Sequence, residues 1–454
     1  MRTWILAALA ALAALSLNLQ AQPQGAASAV APAASAVAAP VPASSPAAGP
    51  QIRPVAAGWA EALPRDPKAA TQAYLERLSP DMVQRSNAYF EGGYWLQLWN
   101  FLLGLLVAAL LMGQQRAARL RDWAMRRSGQ RAVLRDAIFG SAYALASWVL
   151  TLPLTIYQGF VREHAYGMAT QHFGAWFGEQ LMGLAIGCVA AALIVPLLYA
   201  VLRRAGARWW LWGTVTLNLL AMLMLVIAPV LIEPLFNTYK PVEDGAIKQQ
   251  VLALAHANGV PADNIYEFDA SRQTTRVSAN VSGLFGSAAV RLNDNLLRRS
   301  SHAEIRAVMG HELGHYVLNH IAKAICEFAL LTLAGFLFAQ WAMERLLARR
   351  AANWGVREAS DVASLPLLVA VFSVFMFVAT PITNTMTRTQ ELEADRFGLN
   401  LAREPHGMAE VMLKLVEYCK PDPSPLEEFV FYDHPSARSR IHEAMRWREA
   451  MGTP

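Results

Sequence analysis

The stretch GHELGHYVLNH, from Gly310 to His320, holds two histidines four residues apart, His311 and His315, with Glu312 beside the first. On a helix, residues four apart share a face, so both imidazoles can reach one cation. Glu312 is the next residue round and can act as general base on a water held by that cation. The competing reading is a structural helix whose two histidines are satisfied by neighbours. A zinc hydrolase needs a third protein ligand, with the fourth position left for water. The longer pattern H-E-x-x-H-x-x-G-x-x-H does not supply it, because Leu318 and Ile321 stand where glycine and histidine are required.

About seventy residues on, NTMTRTQELEADRFG (384–398) offers carboxylates in a segment of helical propensity. Glu391 and Asp395 are four apart on one face. A ligating carboxylate, with a second one orienting a histidine ligand through its other nitrogen, is the expected pairing. Glu393 lies about 200° round the helix from Glu391, so the two cannot both face a metal. The shared face with Asp395 favours Glu391.

These groups must be positioned by a largely apolar chain. Of 454 residues, 55% are hydrophobic and only 16% charged, a balance that points to several membrane spans. The net charge of +5 is carried mainly by arginines in short loops between apolar runs. That is a signature of membrane topology rather than of nucleic-acid binding. Cys188, Cys326 and Cys419 form no pairing or metal motif. The first 21 residues fit a signal peptide or an uncleaved anchor, and 22–58, rich in Ala, Pro and Ser, reads as a flexible linker.

Six further stretches are long enough to span a bilayer: 94–112, 137–157, 181–202, 209–232, 324–343 and 363–383. The polar segments 233–320 and 384–454 are separated by two spans and therefore emerge on the same side. Gln97, Asn100 and Asn218 are polar residues inside spans; they fit either a water-filled cavity or hydrogen bonds between helices. Within 233–320 the periodicity predicts a helix over DGAIKQQVLALAHANGV, a strand in DNIYEFD and a hairpin in TTRVSANVSGLFGSAAVRLND. Ser301 and Glu304 form a capping box at the start of the helix that carries His311.

HELGH with His320, then TRTQELEAD, then DHPSARSRI together resemble the M48 family of membrane zinc metalloproteases, and within it the CAAX prenyl protease 1 group. LPLTIY and IAPVLIEPLFNTYKPVEDG fall in the expected order, so the likeness spans most of 75–445. The resemblance implies a mainly α polytopic membrane protein, with six or seven transmembrane helices enclosing a chamber. It also implies a gluzincin-like zinc protease domain containing a small β-hairpin. A four-span membrane domain over 59–232 and a peptidase domain over 233–454 are the expected units.

By the same resemblance one Zn2+ per chain is bound by His311, His315 and Glu391. Glu312 is then the base, His434 a donor to the oxyanion, and Asp395 and Arg388 are supporting groups around the ligands. Where eukaryotic members carry a His-Ser-Asn-Ala run that is thought to pair with substrate, this chain has Arg276, Val277, Ser278, Ala279 and Asn280. An edge strand pairs through its backbone, so the change leaves proteolysis in place and puts prenyl-peptide specificity in doubt.

The expected function is an integral-membrane zinc endopeptidase acting on extended peptide or protein substrates, non-prenylated and membrane-bound or exported, within a lipid bilayer and without nucleic acid. A catalytically silent zinc-binding quality-control scaffold is the alternative; an intact Glu312 argues against it. A transporter would leave three metal ligands on one side unexplained. The Arg-rich loops 113–136, 203–208 and 345–357 should be cytoplasmic. That puts the catalytic side outside, in the periplasm of a bacterial inner membrane.

Overall fold

The structure, a computed structural model, describes residues 52–282 and 289–452. The expected signal or anchor segment and nearly all of the Ala/Pro-rich linker lie outside the described residues.

Helix α1 (Pro67–Leu75) is followed by α2 (Pro80–Met112), whose start is set by Ser79 accepting from the Met82 amide, with proline at the first position. After α3 (Arg116–Arg127) come α4 (Ala132–Ile156), α5 (Phe173–Ala205) and α6 (Trp209–Ile227). After them come β1 (Tyr239–Pro241), α7 (Ala246–Ala257), β2 (Ile265–Phe268), β3 (Ala279–Ser282) and β4 (Ala289–Asn293). The chain continues through α8 (His302–Val317), α9 (His320–Trp354), α10 (Leu365–Ala402), α11 (Pro405–Leu415), α12 (Pro425–Phe431) and α13 (Ala437–Met451).

Among the described residues five helical stretches are long and apolar enough to cross a membrane. The third, Phe173–Leu235, contains two of the six expected spans, because α5 and α6 meet at a 3-10 turn over Gly206–Arg208 and pack on each other. The helices outrun the apolar runs that announced them: α9 has 35 residues and α10 has 38. At 1.5 Å per residue, each reaches on the order of 50 Å, well beyond a hydrocarbon core of about 30 Å. That excess length carries Glu391 and Asp395 of α10 clear of the apolar stretch. The polar residues inside the spans bond between helices: Asn100 to Gln158 (2.8 Å), Gln97 to Thr380 (3.4 Å) and Asn218 to Thr332 (2.9 Å).

The Arg-rich loops gather at one end. Arg121 pairs with Asp361 and donates to the Gly355 carbonyl, Gln115 donates to the Ala352 carbonyl, and Arg203 reaches Asp136 at 2.7 Å. The opposite end of α9 and α10 carries the sheet and the C-terminal helices.

The sheet has the order β1-β2-β4-β3, with β2 and β4 parallel and the two outer pairs antiparallel. The expected hairpin is β3–β4, pairing Ala279 with Leu292 and Val281 with Val290. Its outer strand, β3, is an edge that runs along α8. Val251, Ile265, Val290, Leu292, Ile305 and Leu313 form the core between sheet, α7 and α8. A second core joins Tyr74 and Met82 to Met408, Leu413, Ile441 and Met445, so the residues before the first span pack on the C-terminal helices.

Candidate metal centre

Helix α8 is started by the expected capping box: Ser301 accepts from the Glu304 amide, and the Glu304 carboxylate accepts from the Ser301 amide. Lys414 of α11 fastens the same carboxylate at 2.6 Å. Further along α8, Gly310 and Gly314 face Gly398 and Ala394 of α10. With no larger side chains between them the two helices touch backbone to backbone, and the residues flanking the glycines converge.

His311, His315 and Glu391 each offer one ligand atom within 4.8 Å of the others, and all three are buried. The separations are 3.1 Å between the two Nε2 atoms, 3.2 Å from His311 Nε2 to Glu391 Oε2 and 3.6 Å from His315 Nε2 to Glu391 Oε1. With metal–ligand bonds of about 2.0–2.1 Å, neighbouring corners of a tetrahedron stand roughly 3.3–3.4 Å apart. The measured edges bracket that value. Two imidazoles and a carboxylate also suit zinc chemically, so the residues fit the ion.

His311 is braced from behind. Its Nδ1 lies 2.8 Å from Asp395 Oδ1, which leaves Nε2 for the cluster. Asp395 in turn is gripped by the Arg440 guanidinium, with Arg440 Nε 2.8 Å from Oδ2. Burial alone disfavours a charged His311. The bond to Asp395 and the nearby Glu391 outweigh it and hold its pKa at about 9. His315, where burial dominates, is kept well below the usual imidazole value. A cation docking here therefore displaces a proton from His311. Glu312 is half-buried next to this pair, and burial raises its carboxyl above the ordinary range, against the pull of His311.

His434 arrives from the turn between α12 and α13. Its Nε2 is 3.1 Å from Glu391 Oε2 and its Nδ1 is 3.2 Å from Asp433 Oδ1. Arg388, expected beside the ligands, instead donates to the backbone carbonyls of Glu428 and Tyr432. Asn384 donates to the Val430 carbonyl at 2.8 Å. Both tie α12 to α10 and so fix the turn that presents His434.

Of the five residues compared with the substrate run, only Ala279 and Asn280 lie in β3. The Arg276 carbonyl accepts from Asn293 and Asn295, and the Ser278 amide donates to Asn293. The Arg276 side chain pairs with Glu163 at 2.7 Å and bonds Tyr89, anchoring the run to α2 and to the helical turn Arg162–Ala165 that continues α4. Val277 lies against the core between sheet and α8.

Two buried residues here were assigned no role from the sequence. Arg440 could have been found, because it sits in the helical apolar stripe Ala437, Ile441, Ala444, Met445; an arginine there requires a buried carboxylate. His320 gave no such signal.

The family model described as peptidase family M48 matches residues 241–448, and that described as the CAAX prenyl protease N-terminal, five membrane helices, matches 65–238. The chain is 29% identical over 319 residues to the uncharacterized metalloprotease YhfN of Bacillus subtilis, covering 70% of this chain and 75% of that protein. It is 27% identical over 327 residues to CAAX prenyl protease 1 of Saccharomyces cerevisiae, covering 68% and 72%. The crystal structure of S. mikatae Ste24p superposes with a TM-score of 0.69 at 22% identity, over 83% of this chain and 93% of that one, which establishes the shared fold.

Proposed function

Since the chain belongs to peptidase family M48 and is a CAAX prenyl protease-like membrane metalloprotease, we propose that it is a zinc endopeptidase of the bacterial inner membrane. It cuts extended, non-prenylated polypeptides, membrane-bound or exported, on the periplasmic side. The observation that carries this reading is the trio His311, His315 and Glu391, spaced as three corners of a tetrahedron with Glu312 at its side.

His311, His315 and Glu391 would hold the zinc, which would supply Lewis-acid activation of water at neutral pH. Glu312 takes the proton of the attacking water and passes it to the leaving nitrogen. His434 Nε2, directed at the ligand cluster, donates to the scissile carbonyl oxygen as charge builds there. One such donor is worth about 3 kcal/mol. Asp395 and Arg440 keep His311 in the tautomer that leaves Nε2 available.

The substrate lies along β3, whose outer edge faces no other strand among the described residues. A backbone ladder needs an extended chain and reads few side chains, which suits unfolded polypeptide rather than one prenylated motif. The periplasmic assignment rests on the arginines at the far end of α9 and α10, since positively charged short loops stay in the cytoplasm.

Metal analysis and cleavage of an unstructured polypeptide by the detergent-purified chain test this. One zinc per chain is expected, with cleavage that a chelator stops and added zinc restores. A metal-free protein that cleaves equally well with chelator present contradicts it.

A further inference from the structure

His320 sits five residues beyond His315 and returns to its side. Helix α8 ends at Val317, and Asn319 takes a left-handed backbone with φ 54°, which asparagine tolerates better than most residues. Helix α9 then begins at His320. This reversal sets His320 Nδ1 2.8 Å from His315 Nδ1, and the His320 side chain is 0% exposed. On its far side, His320 Nε2 lies 3.0 Å from Glu393 Oε2, which also receives the Lys323 ammonium. Glu393 is the carboxylate that faces away from the ligands.

Metal binding allows only one order of protons along this row. With His315 Nε2 as a ligand, its proton sits on Nδ1 and is donated to His320 Nδ1. His320 then carries its own proton on Nε2 and donates it to Glu393. Were His320 Nδ1 the donor, His315 Nδ1 would accept and its proton would block Nε2.

We propose that His320 is the positioning residue for the ligand His315, fixing its tautomer and ring angle through a neutral imidazole. Asp395, backed by Arg440, does the same for His311 through a charge. The two histidine ligands are thus braced unequally, and the His315 arm depends on a contact buried from water but anchored in a half-exposed ion pair, with Glu393 44% exposed. This inference rests on the metalloprotease reading.

The test is the rate at which zinc-loaded, detergent-purified full chain releases zinc into excess chelator. His320→Ala should release it at least about tenfold faster than wild type, the scale of loss for outer partners of metal ligands. His320→Asn places a carboxamide oxygen near the Nδ1 position and should recover most of the retention. His320→Gln places its carboxamide near the Nε2 position and should not. Thermal unfolding of the metal-free proteins should be alike in all. Release from His320→Ala at the wild-type rate overturns the proposal. If that variant fails to fold, the Asn–Gln comparison decides: equal or reversed retention overturns it. A wild type that takes up no zinc sinks the metalloprotease reading, and this inference with it, whereas a zinc-binding wild type indistinguishable from the variants sinks only this inference.

Discussion

A β-carbon on Gly398 would stand 2.6 Å from the His311 backbone nitrogen, and one on Gly310 would stand 2.9 Å from the Gly398 carbonyl oxygen. The helices bearing the histidines and Glu391 meet at bare backbone, and the ligand trio exists because of that approach. Glycine to alanine inside a helix ordinarily stabilises by about 1 kcal/mol. Gly398→Ala should do the reverse, since the new methyl has only rigid backbone to push against. Thermal unfolding and metal analysis should show a lower melting temperature and reduced zinc. A variant at least as stable as wild type, with full zinc, contradicts this packing.

Replacement of Glu391 by alanine should empty the site as well as stop cleavage, while Glu393→Ala should still purify with about one zinc per chain. Glu391 lies within 3.6 Å of both histidine Nε2 atoms, whereas Glu393 pairs with His320 and Lys323. Zinc measured per chain in the two variants decides, and the reverse order would mean the wrong carboxylate was chosen.

Much of this site is legible in the sequence because it is written in local spacing. Four-residue intervals put His311 with His315 and Glu391 with Asp395 on single helix faces, and Ser301 with Glu304 announces the helix start. Two intervening spans place both faces on one side of the membrane. What spacing cannot convey is which face meets which at a distance. Arg388 shares a helix with Glu391 yet reaches the backbone of 428–432, because its long side chain points to α12 rather than α8. Arg276 likewise reads as part of a strand, but its carbonyl accepts from the side chains of Asn293 in β4 and Asn295 in the short helix that follows, and the strand begins only at Ala279. His320 depends on a left-handed residue at Asn319, which no periodicity reveals.

For His434→Ala the expected result is a protein that keeps its zinc and loses roughly 10²-fold in kcat, with a smaller effect on KM. The ring contacts Glu391 but is about one-third exposed, so its removal leaves no cavity in a core. Steady-state kinetics beside metal analysis checks this. Loss of zinc would make His434 a ligand, and unfolding would make it structural.

Reporter fusions after Asp244 and after Pro454 test the orientation. Asp244 and the last described helix, Ala437–Met451, belong to the end opposite the Arg121–Asp361 and Arg203–Asp136 pairs. Alkaline phosphatase should be active at each, and a fluorescent protein that matures only in the cytoplasm should stay dark. Bright fluorescence at either point reverses the topology and leaves the metal chemistry intact.

The most direct measurement is zinc content and peptide cleavage on the same preparation of Glu312→Gln. The side chain keeps its size and loses its basicity, and Glu312 is not among the three grouped ligands. Zinc should remain at about one per chain while cleavage falls by roughly 10²–10⁴, the usual cost of a lost general base. Cleavage within tenfold of wild type, from a protein with its zinc in place, would contradict the account.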